Sequence, residues 1–340
     1  MRAVVYDEPR RFEVREVPTP GAGAGEVVVD VQLAGVCGTD LHLHEGGFFA
    51  SFPLTPGHES VGTVREVGEG VGHVSVGQRV VVDNASACGR CAPCSRGEAL
   101  FCEHFHSLGV NAPGGFAEAL VSPAHKVYAA DDLPLDVAVV AEPLACAVHG
   151  MDVLGLRPGA DVLVVGSGTT GLLLTQLLVH GGAGRVTVAA PTEFKLELAR
   201  AYGADRVVRV TRDAAETAST LAARQPQGFD VAIDVTGAAS VVETLPSLTS
   251  TNGTVFVYGM CEEDDRVALR PYDVFRRQLT VRGSFAQVNC MDRSLAMLRS
   301  GRVITEGLIT HRFALADYGA ALEALAHDPT SLKVVVEPQH

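Results

Sequence analysis

Four of the eight cysteines, Cys88, Cys91, Cys94 and Cys102, fall in one C-x2-C-x2-C-x7-C segment, with Gly89, Pro93 and Gly97 between them to make the turns. Four thiolates on one short loop suit tetrahedral zinc at about 2.3 Å per bond, and a site whose positions are all filled by protein holds a loop together rather than doing chemistry. The start of the chain shows no secretion signal, which disfavours disulfides, and polar Ser95, Arg96 and Glu98 disfavour four separate buried thiols. A second, dispersed set has other chemistry. Cys37 lies in Gly35-Val36-Cys37-Gly38-Thr39-Asp40-Leu41-His42, and His58 and Glu59 lie in Pro56-Gly57-His58-Glu59-Ser60-Val61-Gly62. Together they offer zinc a soft thiolate, an imidazole and a carboxylate. Glu142 interrupts the apolar run 137–141 and precedes Pro143-Leu144-Ala145, so its carboxylate needs a partner. Pro143 fits the first position of a helix, which puts Glu142 at the helix N-terminus, where the dipole favours its charge; a metal role and a simple cap are the two readings.

A different chemistry follows residue 160. The apolar run Asp161-Val162-Leu163-Val164-Val165 leads into Gly166-Ser167-Gly168-Thr169-Thr170-Gly171 and then a leucine-rich helical segment. A G-x-G-x-x-G that leaves a strand and opens a helix presents backbone amides to a pyrophosphate. The next strand is expected to end near Ala190, where NAD enzymes place an acid on the adenosine ribose. Here the chain reads Ala190-Pro191-Thr192-Glu193-Phe194-Lys195. A small residue removes the repulsion an acid would exert on a 2'-phosphate, and Thr192 and Lys195 can contact it, so NADP is favoured over NAD; Glu193 works against that.

The elements that must position these groups show two textures. Residues 27–33, 62–67, 79–82 and 126–129 are short β-branched runs between turn signals, a mostly antiparallel β region. From residue 161, apolar strands (161–165, 185–189, 229–234, 254–258) alternate with helical segments (170–180, 193–202), the rhythm of βαβ units and a parallel sheet. Helices at 292–300 and 316–326 and a strand at 333–336 are expected to return to the first domain. The 340 residues, 47% hydrophobic, leave room for two domains. With 40 acidic against 27 basic side chains and no basic run, a nucleic-acid surface is excluded. Apolar stretches are broken before the roughly 20 residues a membrane span requires, so no membrane role and a cytoplasmic location are expected.

Taken with Asp234-Val235-Thr236-Gly237 and Leu308-Ile309-Thr310-His311-Arg312-Phe313, these motifs cover essentially the whole chain. The sequence resembles the zinc-containing medium-chain dehydrogenases, most closely their polyol, sorbitol-type branch. The resemblance implies an α/β fold: a GroES-like β-barrel catalytic domain (1–148 and 286–340, with a zinc lobe at about 84–104) and an inserted Rossmann domain (149–285). It implies two zinc ions per chain. Cys37, His58 and Glu59 would ligate the catalytic zinc, with Glu142 a fourth ligand or the holder of its water; Cys88, Cys91, Cys94 and Cys102 would hold the structural one. Thr39 would bond the substrate oxygen and begin a proton relay through the nicotinamide ribose to His42, and Asp40 would orient His58. Gly166, Gly168, Thr169, Thr170, Gly171, Thr236, Gly237, Tyr258, Gly259, Ser284 and Phe285 would contact the cofactor, beside Ala190, Thr192 and Lys195.

The implied activity is reversible hydride transfer between NAD(P) and a secondary hydroxyl of a polyol, sugar alcohol or cyclitol, by a homo-oligomer, tetramer or dimer. Departures fall in the substrate pocket. Leu43 stands where sorbitol dehydrogenases carry an aromatic residue, and Ala286-Gln287 where they carry an Arg-Tyr pair, so sorbitol itself is not implied. Phe48, Phe49, Phe285, Gln287 and Asn289 are the candidate pocket residues. The alternatives are oxidation of an amino alcohol such as L-threonine, and a nucleotide-binding relict that has lost its chemistry.

Overall fold

The computed structural model describes all 340 residues and separates them into two compact units. One comprises Met1–Ala145, Val288–Gly301 and Thr305–His340; the other comprises Cys146–Gln287 and Arg302–Ile304.

The first unit is built on a seven-stranded sheet. Its long strand Glu26–Val36 pairs antiparallel with Glu59–Val67, with Ala119–Pro123 and with the C-terminal strand Lys333–Glu337. Arg79–Val82 links Glu59–Val67 to Val127–Ala129, and Ile309–Ala314 runs parallel to Lys333–Glu337. Valines dominate because these strands are buried, where β-branched side chains pack well on a pleated surface. Val27, Val29, Val31, Val64, Val80, Val334 and Val336 meet Phe116 and Tyr318 in one apolar core. The C-terminal strand lies against the end of Glu26–Val36, with Val335 opposite Gly35 and Val334 opposite Val36, which carries Lys333 to the residues around Cys37.

The second unit is a six-stranded parallel sheet in the spatial order Arg206–Arg209, Arg185–Ala190, Asp161–Val165, Phe229–Asp234, Thr249–Val257, Thr280–Gly283. Numbered along the chain this is 3-2-1-4-5-6, the doubly wound order whose ligand crevice lies at the C-terminal strand ends. Helices Thr169–His180, Glu193–Ala201, Ala214–Arg224 and Ala239–Leu248 connect the strands.

Several local expectations are corrected. The strand Arg206–Arg209 and helix Ala214–Arg224 escape the periodicity reading, because Arg-Val-Val-Arg is a short edge strand with exposed ends and has no long apolar pattern. Helix Ala141–Leu154 begins before Pro143, so Glu142 sits inside the first turn rather than at the cap; proline fits there because the first-turn N–H groups have no intrahelical partner. The stretch Leu135–Leu154 does reach the length and apolarity of a membrane span, 20 residues at a mean hydropathy of 1.6, but 67% of that window is buried within the protein, as in a core helix.

Candidate metal centre and dinucleotide loop

Two chain segments of the first unit converge on one point. Cys37 ends strand Glu26–Val36 and stands at the N-terminus of helix Gly38–His44; its N–H donates to Asp40 Oδ2 at 2.8 Å, which fixes the turn. His58 precedes strand Glu59–Val67, whose pairing sets Glu59 opposite Gly35. One ligand atom from each of Cys37, His58 and Glu59 lies within 4.8 Å of the others. Thiolate, imidazole and carboxylate at that spacing fit a zinc ion. Thr39 Oγ1 lies 3.9 Å from Cys37 Sγ, beside the same cluster.

The surroundings have the electrostatics of a cation site. Asp40 is fully enclosed, with Oδ1 3.7 Å from His58 Nδ1, and neither atom has a closer hydrogen-bond partner. Burial raises the Asp40 carboxyl to about 6, opposed by His58. For His58, burial alone would push the imidazole down, but Asp40, Cys37 and Glu142 outweigh it and hold it well above its usual range. A field that so favours a proton on His58 favours a divalent cation among the same groups. Glu142 is buried and belongs to this cluster by its field on both His58 and Lys333.

Lys333 is the residue that motif reading misses. Its Nζ donates to Glu59 Oε1 at 2.7 Å and Oε2 at 2.6 Å, and lies 3.4 Å from the carbonyl of Val36. Both side chains are buried, and burial, which would push the ammonium down, is outweighed by the facing carboxylate. The available signal was weak: a lone lysine opening an apolar terminal strand, in a chain with three lysines against 24 arginines.

The cysteine lobe forms a second cluster, with one Sγ each from Cys88, Cys91, Cys94 and Cys102 within 4.8 Å, and all four are free thiols. Backbone N–H groups of Cys88 and His104 donate to Cys102 Sγ at 3.2 and 3.3 Å. Amides of Arg90 and Cys91 hold the Cys88 thiol down to about 6, while burial pushes Cys94 up to about 12. Amides aimed at sulfur stabilise thiolates, the form a metal takes.

In the second unit, the glycine loop leaves the end of Asp161–Val165 and opens helix Thr169–His180. Gly166 has φ +111°, and a Cβ there would lie 2.8 Å from Val235; a Cβ on Gly171 would strike the carbonyl of Gly166 at 2.3 Å. The hydroxyls of Ser167 and Thr169 are buried with no hydrogen-bond partner. Glycines that keep the loop tight, free hydroxyls and a helix N-terminus together fit a pyrophosphate. Asp234 accepts from Thr236 N and Oγ1 at 2.9 and 2.5 Å and from Gly237 N at 3.2 Å, shaping the turn after its strand. Tyr258, Gly259, Ser284 and Phe285 follow the ends of the next two strands. Ala190 ends its strand, Thr192 stands at the N-terminus of helix Glu193–Ala201, and Lys195 reaches over the Phe194 ring at 5.8 Å. Glu193 is 3.6 Å from Arg200 on the same helix.

The pocket candidates divide. Leu43 is a core residue, and Phe48 packs partly against that core and on Phe49, ring centroids 5.5 Å apart. His42 sits on the same short helix as Thr39. Phe285 and Gln287 belong to the second unit and Asn289 to the first.

Known proteins resemble the chain along its whole length. The alcohol dehydrogenase GroES-like domain model matches residues 23–132, and the zinc-binding dehydrogenase model matches residues 169–300. D-arabinitol dehydrogenase 1 of Uromyces fabae is 41% identical over 340 residues, 99% of this chain and 97% of that protein. The chain belongs to the zinc-containing medium-chain dehydrogenases. Within that family it falls with the polyol dehydrogenases: D-altritol 5-dehydrogenase of Agrobacterium fabrum is 34% identical over 98% of each chain. A zinc-binding dehydrogenase of Sinorhizobium meliloti, solved bound to NADP, superposes with a TM-score of 0.91 at 31% identity over 99% of both chains. As a member of the family the protein is a zinc-dependent, NAD(P)-dependent oxidoreductase with a GroES-like catalytic domain and a Rossmann domain.

Proposed function

We propose that the protein oxidises a secondary hydroxyl of a polyol, sugar alcohol or cyclitol to the ketone, reversibly, with NADP preferred to NAD. The observation that carries this is the cluster of half-buried Cys37 with buried His58 and Glu59, joined by the field of Glu142. A zinc bound there supplies a Lewis acid that makes the alcohol easier to ionise. Cys37, His58 and Glu59 would hold the metal, and Glu142 would take a fourth position or orient its water. Asp40 would fix the ring of His58. Thr39 would accept the alcohol proton at Oγ1 and pass it, through the nicotinamide ribose, toward His42 on the same helix face, three residues on. A second zinc would be held by Cys88, Cys91, Cys94 and Cys102.

The identity of the D-arabinitol and D-altritol dehydrogenases supports the substrate class. Ala190 at the strand end, and Glu193 paired with Arg200, support NADP. Phe48, Phe285 and Gln287 are the proposed substrate contacts. A homo-oligomer is supported by the edge strand Thr280–Gly283, all of whose residues are exposed, Val281 among them; an exposed edge strand invites pairing with a second copy. A cytoplasmic location completes the reading.

The test is initial hydride transfer, followed by absorbance of the reduced nicotinamide, with NAD and NADP against polyols, cyclitols, L-threonine and simple secondary alcohols. A polyol or cyclitol as best substrate is expected; L-threonine as best substrate would overturn the substrate class. Metal analysis is expected to find two zinc ions per chain, whereas a relict without chemistry would hold one.

A further inference from the structure

The second unit carries a cavity that the dehydrogenase reading leaves unused. It has a volume of about 340 Å³ and lies toward the N-terminal ends of the parallel strands, since Arg206 opens Arg206–Arg209 and Phe229 opens Phe229–Asp234. The glycine loop leaves the opposite end of the sheet. Arg200, Arg206 and Arg224 converge on the cavity from a helix, a strand and a second helix, and Phe229 gives it an apolar wall. Thr187 also lines it; this side chain is 3% exposed and its hydroxyl has no hydrogen-bond partner.

The three arginines are exposed at the cavity mouth, and no acidic side chain is among the lining residues. Glu193 lies 3.6 Å from Arg200, Asp161 is held by Arg185 and by Nε2 of the lining residue Gln225 at 3.0 Å, and Asp205 accepts from Val186 N–H at 2.8 Å. Arg200 and Arg224 occupy the last turns of their helices, where the carbonyl ends favour cations. That accounts for two guanidiniums, but not for Arg206 on its strand or for the buried Thr187 hydroxyl. A buried hydroxyl without a partner is costly, and a cluster of guanidiniums matches the oxygens of a phosphate.

We propose that this cavity binds a small molecule bearing a phosphate monoester, its phosphate held by Arg206 and Arg224 with Thr187 donating from the buried wall, and its organic part lying on Phe229. The volume falls in the range of small-molecule sites. The ligand is distinct from the nicotinamide cofactor and the alcohol.

Calorimetric titration of inorganic phosphate and of phenyl phosphate into holoenzyme saturated with nicotinamide cofactor, at constant ionic strength, tests this. Saturable binding at one site per chain is expected. It should weaken at least tenfold in Arg206→Ala/Arg224→Ala and fall in the near-isosteric Thr187→Val, with Arg206→Lys retaining part of it and turnover unchanged. No saturable binding to wild-type holoenzyme, or binding that survives the double substitution, overturns the proposal. A double variant that only melts earlier, with phosphate affinity intact, assigns the arginines to the helix ends and overturns it as well.

Discussion

Lys333 and Glu59, 274 residues apart, form a fully buried ion pair in which one ammonium is 2.7 and 2.6 Å from both carboxylate oxygens. The pair joins the C-terminal strand to the candidate zinc cluster, so the last element of the chain helps set the position of a residue in its first sixty. Each carboxylate oxygen has a second lone pair, so Glu59 can answer Lys333 and still face a metal. The lysine also supplies positive charge in a cluster that already holds Asp40 and Glu142.

Removing the lysine leaves a buried carboxylate without its counter-ion. Lys333→Met is expected to destabilise the fold by about 3–5 kcal/mol, the usual effect of breaking a buried pair from one side. Pairing it with Glu59→Gln should recover part of that stability, whereas additive losses in a denaturant-melt double-mutant cycle would show that the two side chains are not coupled.

Gly35 faces the same pair across the sheet. A Cβ there would lie 1.9 Å from Glu59 Oε2, so Gly35→Ala must displace the carboxylate. The expected result is a loss of about 1–3 kcal/mol from overpacking and of the zinc proposed at Cys37, His58 and Glu59, read by melting and by metal analysis. Full metal content and a wild-type melting curve would count against the placement of Glu59.

The cysteine lobe has its own pH signature. Backbone amides lower the Cys88 thiol from its ordinary 9.0 to about 6. A depressed folded pKa means the thiolate persists down to that pH and is lost as pH falls through it. After zinc removal by chelation, iodoacetamide should therefore alkylate Cys88 at a rate that rises through about pH 6, located by peptide mass mapping. A rise near 9 would show that the amides do not reach the sulfur.

For the cofactor, Ala190→Asp restores an acid at the strand end, where it attracts a ribose hydroxyl and repels a 2'-phosphate. The ratio of kcat/KM for NAD over NADP is expected to rise tenfold or more, which is about 1.4 kcal/mol. An unchanged ratio would remove Ala190 from the specificity argument.

Much of this was legible in the linear chain, for a physical reason. The C-x2-C-x2-C spacing and the glycine fingerprint with its flanking apolar strand and helix are local patterns whose chemistry depends on neighbours a few residues away, while the dispersed Cys37, His58 and Glu59 motifs were legible through the family resemblance. The period of the apolar runs and the helical segments between them also separate an antiparallel from a parallel region, which is why the two sheet types could be expected while the exposed edge strand Arg206–Arg209 could not. What the tertiary structure alone decided is long-range. The register that sets Val335 opposite Gly35, and Gly35 opposite Glu59, brings Lys333 to a carboxylate no motif connects it with. The sheet order likewise gathers Arg200, Arg206 and Arg224 around one cavity. Charges so placed are recognised by distance through space, and a chain of residues carries that information only once strand pairing has closed the loops between them.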